Sequence, residues 1–213
     1  MKEYRFIAET PSAKIVVCLN YIKVSAKSLI PYENNNSLKI RCEQGCQNYN
    51  NKWSCPPHSP KYSVISKKFN NAYVFLFYCH LEQFSYIKTP YMKIRVANSI
   101  LKSRSDKIIR QLEKESNGKM LANNSCRLCK ECSCKTKESK CKKPSKLRFS
   151  MESVGLNVES IAMDFFDHKL LSYSKDNVPL YSSVVTTILT NEIIEEDKIN
   201  ELFLNMGIEF YLA

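Results

Sequence analysis

The sequence predicts an α/β or α+β fold: a mixed sheet flanked by helices, with long cysteine-bearing loops. Three observations carry this expectation. Short apolar runs rich in β-branched and aromatic residues alternate with segments of helical period. The composition, 44% hydrophobic and 25% charged, is that of a folded globular chain and excludes a disordered or fibrous one. The stretches 25–36 and 126–149 are too long and irregular to be plain connections, and they contain or flank cysteines. The 213 residues are expected to form a single domain, 1–213, with cysteine-rich segments at 42–58 and 126–144.

Taken in chain order, Lys14 to Leu19 and Leu38 to Arg41 read as strands bounded by turn signals. Pro60 opens a short helix to about Asn70, because proline is tolerated in a first helical turn. Ala72 to Cys79, Ala-Tyr-Val-Phe-Leu-Phe-Tyr-Cys, is the clearest strand. From Pro90 to Ser116, Ile94, Ala97, Leu101, Ile108 and Leu112 recur at helical spacing, and Asn117-Gly118 stops the helix. Met120 to Ala122 leads into the cysteines as a short strand. Ser150 caps a helix to about Phe166, with Glu152 near its positive end. Ser183 to Thr190 is a further strand, Glu195 to Met206 a last helix, and Ile208 to Leu212 a terminal apolar run.

No stretch reaches the roughly 18 consecutive apolar residues of a membrane span, and Met1 to Arg5 leads into no apolar signal core. A cytoplasmic chain without a membrane partner is expected. The formal charge of +11 is unevenly spread. Residues 117–150 hold ten basic against two acidic side chains, whereas residues 151–213 hold three against eleven. The basic excess therefore surrounds cysteines, where it offsets thiolates. Lys outnumbers Arg 25 to 7, which reflects an AT-rich genome as readily as a function.

The cysteines form two constellations. The first is Cys42, Cys46 and Cys55, followed by Pro56-Pro57-His58; the second is Cys126, Cys129, Cys132 and Cys134, followed by Cys141. Gaps of two or three residues let two thiolates reach one centre while the intervening backbone donates N–H groups to sulfur. Three cysteines at consecutive two-residue gaps suit a cubane, with its fourth ligand further along the chain. Structural zinc more often uses two separated Cys-x-x-Cys pairs. Cys18 and Cys79 lie inside apolar strands and read as core thiols. His58 either completes a Cys3His site or is a solvated loop histidine. Trp53, Tyr49 and Tyr62 flank the first constellation, as a shield from water or as an aromatic lid over a ligand. The gap of eight after Cys46 excludes radical S-adenosylmethionine spacing, four scattered glycines exclude a phosphate loop, and three scattered histidines offer no hydrolase triad.

The order of these motifs carries a resemblance. Arg41-Cys42 to Cys46-Gln-Asn-Tyr49, Trp53-Ser-Cys55-Pro56-Pro57-His58-Ser59-Pro60, Cys126-Arg-Leu-Cys129-Lys-Glu-Cys132 to Cys141-Lys-Lys-Pro144, and Ser150-Met151-Glu152-Ser153-Val154-Gly155 resemble the predicted metal-binding proteins grouped as domain of unknown function 2284. The resemblance runs from about residue 38 to 168. It implies metal binding, mostly in prokaryotes and often in anaerobes, with no established reaction. It implies the ligands Cys42, Cys46, Cys55, Cys126, Cys129, Cys132 and Cys141. Cys134 is additional to the pattern, so whether it or Cys141 is the fourth ligand of the second set stays open.

The expected function is therefore that of an iron–sulfur protein with two cysteine-ligated 4Fe-4S centres, a single centre drawing on both segments being the other arrangement open, in electron transfer or in cluster-based binding of a ligand or substrate. Such a protein works with a redox partner or a small anionic ligand, and an iron–sulfur-dependent redox or sulfur-chemistry enzyme is one form it takes; no catalytic residue is assigned. The competing expectation is a structural-zinc module or metallochaperone whose lysine-rich loop contacts nucleic acid. The acidic C-terminal third and the absence of a nucleic-acid motif weigh against that contact.

Overall fold

The computed structural model describes residues 2–136, 140–173 and 178–211. Its centre is a six-stranded sheet built from β1 (Glu3–Glu9), β2 (Lys14–Ser25), β3 (Asn71–His80), β4 (Lys119–Leu121), β5 (Tyr181–Thr190) and β6 (Glu209–Tyr211). The strand order is β4-β5-β3-β2-β1-β6, and every ladder is antiparallel. Of the two classes expected, the fold is α+β; the one parallel pairing among the described residues is the isolated bridge between Ala122 and Ser150.

Both faces of the sheet are covered. On one face, Tyr73, Phe75 and Phe77 of β3 pack with Ile94, Leu101 and Ile109 of α3 (Pro90–Glu115) and Phe203 of α5 (Glu196–Asn205). On the other, Val74, Leu76 and Leu189 meet Tyr62 of α2 (Tyr62–Ile65), Ile161 and Ala162 of α4 (Val158–Phe166), and Leu29 of the 3-10 segment Ala26–Tyr32. A strand buried on both sides needs apolar residues at every position, which is why β3 reads as a continuous apolar run. Phe75 and Phe77 are fully buried, each contributing about 1.5–3 kcal/mol by burial.

The stripe on α3 has a gap of seven between Leu101 and Ile108, and Ser105 fills it. Ser105 is fully buried, and its hydroxyl donates to the Leu101 carbonyl at 2.7 Å. The helix ends where Asn117 takes a left-handed conformation (φ 50°), with the Gly118 N–H donating to the Glu113 carbonyl at 3.1 Å. Gly118 serves close packing. A Cβ there would meet Ile188 Cγ2 at 2.8 Å and the Leu189 carbonyl at 2.9 Å.

Three expectations are corrected. Leu38 to Arg41 lies inside the helix α1 (Asn35–Gly45), not a strand. Ile40 is 48% exposed, so no buried face holds this segment against a sheet. The helix from Ser150 to Phe166 is interrupted. The Ser150 hydroxyl accepts from the Ser153 N–H at 3.1 Å, but the turn it caps, Glu152–Val154, stops at Gly155 (φ 93°), and Asn157 caps α4 afresh through the Ser160 N–H at 3.2 Å. The helix from Pro60 shrinks to α2 and a 3-10 turn at Ser66–Lys68. Strand β1 has no counterpart among the expected elements. Leu212, at the end of the expected apolar run, lies outside the described residues, as do Lys137 and Glu138 of the lysine-rich loop. No helix among the described residues is long and apolar enough to cross a membrane.

Candidate metal centre

Two loops carry the clustered cysteines, and the segment 150–157 ties down the base of both. The first loop leaves the fold at Glu33, which bridges Leu156; the Asn34 N–H donates to the Gly155 carbonyl at 2.8 Å and the Asn157 N–H to the Tyr32 carbonyl at 2.8 Å. The second is pinched where the Ala122 N–H donates to the Phe149 carbonyl (2.7 Å) and the Met151 N–H to the Ala122 carbonyl (3.0 Å). Ser59 adds a link from the first loop, donating to the Ser153 carbonyl at 2.5 Å.

In the first loop, Cys42 lies in α1 and Cys46 one turn later, and the Cys46 N–H donates to the Cys42 carbonyl at 3.2 Å. Residues four apart share a helix face, so both thiols lie on one side. Cys55 is brought to them by tight turns. Its N–H donates to the Lys52 carbonyl, and its own carbonyl accepts from His58 and Ser59. Burial raises the Cys55 thiol above its ordinary pKa, the Ser54 hydroxyl opposes this, and the thiols of Cys46 and Cys42 push upward again. Cys42 is likewise raised by burial, then by Cys46, Glu152 and Glu43. Glu152 keeps solvent-accessible surface although protein crowds it, and that crowding raises its carboxyl; Lys102 opposes the rise.

The second loop docks on three consecutive residues of the first. Lys52 Nζ donates to Ser125 Oγ at 3.1 Å and to the Cys126 carbonyl at 2.9 Å. Trp53 Nε1 donates to Ser133 Oγ at 3.1 Å. The buried Ser54 hydroxyl accepts the Cys126 N–H at 3.1 Å and stands 3.8 Å from Cys55 Sγ. A single serine thus touches both cysteine sets. Two further anchors hold this loop to α3. Asn123 Nδ2 donates to Ser105 Oγ at 2.6 Å, and Arg148 pairs with Glu113 at 2.5 Å with both side chains mostly buried.

Cys126, Cys129, Cys132 and Cys141 line one cavity of about 70 Å³, walled also by Trp53 and Leu147. Burial raises the Cys126 thiol, a backbone bond at Leu128 lowers it, and the thiols of Cys141, Cys132 and Cys129 raise it. Crowding thiolates is unfavourable unless a cation lies among them. Among the described residues, however, no three His, Cys, Asp or Glu side chains converge closely enough to hold one ion.

The remaining candidates go elsewhere. Cys134 is buried outside that cavity, its thiol 3.6 Å from the Asn50 carbonyl. His58 is exposed, bonded to Asn50 Oδ1 at 3.0 Å and edge-on to Trp53 at 4.7 Å. Trp53 belongs to the wall of the second set, while Tyr49 donates to Glu43 at 2.6 Å. Tyr62 is a core residue donating to the Ala26 carbonyl at 2.7 Å. Cys18 and Cys79 are buried in the sheet. Ser54, Ser105, Glu113 and Asn123 escape sequence reasoning; the break in the α3 stripe is the one signal that marks Ser105.

The model of a predicted metal-binding protein family, domain of unknown function 2284, matches residues 26–186. The chain belongs to this family. The matched stretch takes in both cysteine loops and the 150–157 segment at their bases, leaving β1, β2, α5 and β6 outside. No curated protein and no solved structure matches the chain.

Proposed function

We propose that this member of the family is an iron–sulfur protein with two thiolate-held 4Fe-4S centres. Cys126, Cys129, Cys132 and Cys141 would hold one, and Cys42, Cys46 and Cys55 the other. The observation that carries the reading is the arrangement of four thiols around a cavity. Tetrahedral zinc with sulfur at about 2.3 Å draws its ligands to roughly 3.8 Å from one another. The cavity lined by these four thiols is about 70 Å³, several times the roughly 10–15 Å³ that one water requires. A group of several atoms suits that space better than a single ion.

A bound 4Fe-4S group supplies one-electron exchange and, at an iron without a protein thiolate, a Lewis-acid position. The protein's own residues have separate tasks. Trp53 and Leu147 limit water at the second centre. The Lys143 N–H, 3.4 Å from Cys141 Sγ, and the Ser54 hydroxyl beside Cys55 donate toward sulfur and set how readily charge is accepted. Ser54 also joins the two thiol sets by a path of two polar contacts, which favours passage of an electron between centres and on to a redox partner. Ten free cysteines fit a reducing compartment such as the cytoplasm.

Anaerobic purification followed by iron, acid-labile sulfide and zinc analysis tests the reading. The expected sample is brown, with roughly eight iron and eight sulfide per chain for two cubanes. A colourless protein with stoichiometric zinc and no labile sulfide would overturn it in favour of a zinc module.

A further inference from the structure

A second cavity, about 320 Å³, lies between α3 and the second cysteine loop. Its lining includes five basic side chains and one acidic one. Two of the cations are committed: Arg110 pairs with Asp106 at 2.7 Å, and Arg148 with Glu113 at 2.5 Å. The other three, Lys102 from α3 and Arg127 and Lys146 from the loop, form no ion pair among the described residues, although Lys102 senses Glu152. Three cations on opposite walls of one depression repel each other, and a multiply charged anion relieves that repulsion.

The rest of the lining narrows the class. Its apolar side chains belong to Ala122, Leu128 and Cys126, the first cysteine of the second set, and no aromatic ring is present. A nucleobase would find nothing to stack on. Serine hydroxyls on α3, Ser99 and Ser103, and the Arg127 guanidinium offer the donors that phosphoryl oxygens take up. The volume falls at the lower end of small-ligand sites, enough for a diphosphate but small for a polymer segment.

We propose that this cavity binds a small phosphate-class oxyanion, of the size and charge of diphosphate, against the second cysteine set. Cys126 lines both this cavity and the four-cysteine cavity, so a bound anion lies against a residue of the metal centre. The proposal rests on the cavity and its charges and holds whether the metal is iron or zinc.

The test is calorimetric titration of inorganic diphosphate into the anaerobically purified, metal-loaded protein at low ionic strength, with metal content measured in every sample. One saturable site is expected in the unaltered protein. Lys102→Gln and Lys146→Gln should each weaken it about tenfold, the loss of one charge-assisted contact, while Lys146→Arg keeps it and the exposed Lys67→Gln changes nothing. Absence of saturable diphosphate binding to the unaltered protein overturns the proposal whatever the variants do. Equal weakening by Lys67→Gln reduces the effect to net charge and also overturns it. Preferential binding of a single-stranded oligonucleotide, lost in the same variants, would reassign the surface to nucleic acid.

Discussion

Ser54 shows how much one buried hydroxyl can decide. It supplies the acceptor for the Cys126 N–H and the polar contact to Cys55, so Ser54→Ala leaves a half-buried N–H without that partner. The expected cost is about 1–3 kcal/mol in denaturant unfolding, with faster exchange of the Cys126 amide than of amides in β3. Unchanged exchange there would show that the two loops are held together by other contacts. His168 offers a pH handle. Burial holds its imidazole below the ordinary value of 6.5, with a bond to Ser183 at 2.7 Å and Tyr181 at 4.7 Å. The folded state then binds fewer protons than the unfolded one, so stability is full above about pH 6.5 and falls as pH drops through the lower folded value. Unfolding between roughly pH 7.5 and 5 should show a shallower slope in His168→Gln than in the unaltered chain.

At the level of elements, α3 is both a core helix and the mounting for the second cysteine loop. Ser105 holds the start of that loop through Asn123, and Glu113 holds its end through Arg148 while also accepting the Met120 N–H at 2.7 Å. Glu113→Ala should cost about 3–5 kcal/mol, because it strands a largely buried guanidinium, and should loosen metal retention against a chelator. The double variant Glu113→Met with Arg148→Met should recover part of the stability and stay below the unaltered chain, because the buried Met120 N–H still lacks its acceptor. If it recovers stability but not metal retention, the pair serves the loop's geometry more than the fold. The segment 150–157 plays the matching part on the other side, with Ser150, Gly155 and Asn157 replacing one long helix by a turn, a break and a capped helix. The break at Gly155 and Asn157 supplies the first loop's closing hydrogen bonds, and Phe149 and Met151, just before it, supply the second's.

For the molecule as a whole, the two cysteine sets should differ from the sheet thiols in what their loss does. Cys129→Ala or Cys132→Ala is expected to remove metal and destabilise the segment 120–150, since binding free energy there is folding free energy. Cys18→Ala and Cys79→Ala, buried in the sheet, should keep the full metal content, and Cys134→Ser should keep it as well because that thiol faces the Asn50 carbonyl. Equal metal loss from all of these would dissolve the distinction between ligands and core. Much of this architecture is written locally. Strand β3 is legible because burial on both faces gives it an unbroken apolar run, β5 because β-branched Val, Ile and Thr dominate it, α3 because one face is buried, and the cysteine motifs because short gaps confine thiols to one neighbourhood. The Leu38 to Arg41 segment misleads because four residues with two apolar ones fit either period, and in β1 the exposed Ile7 breaks an otherwise regular alternation of buried Tyr4, Phe6 and Ala8 with charged Glu3, Arg5 and Glu9. The sequence by itself determined a sheet flanked by helices, α/β or α+β, and two thiol-rich loops, through periodicity and spacing within a few residues; the antiparallel ladders of the tertiary structure decided for α+β. Only the tertiary structure decided that Lys52-Trp53-Ser54 docks one loop on the other, that Cys141 rather than Cys134 lines the cavity with Cys126, and that α3 cations face the basic loop. Those pairings join residues far apart in the chain, where contact depends on how the elements pack and no local pattern records it.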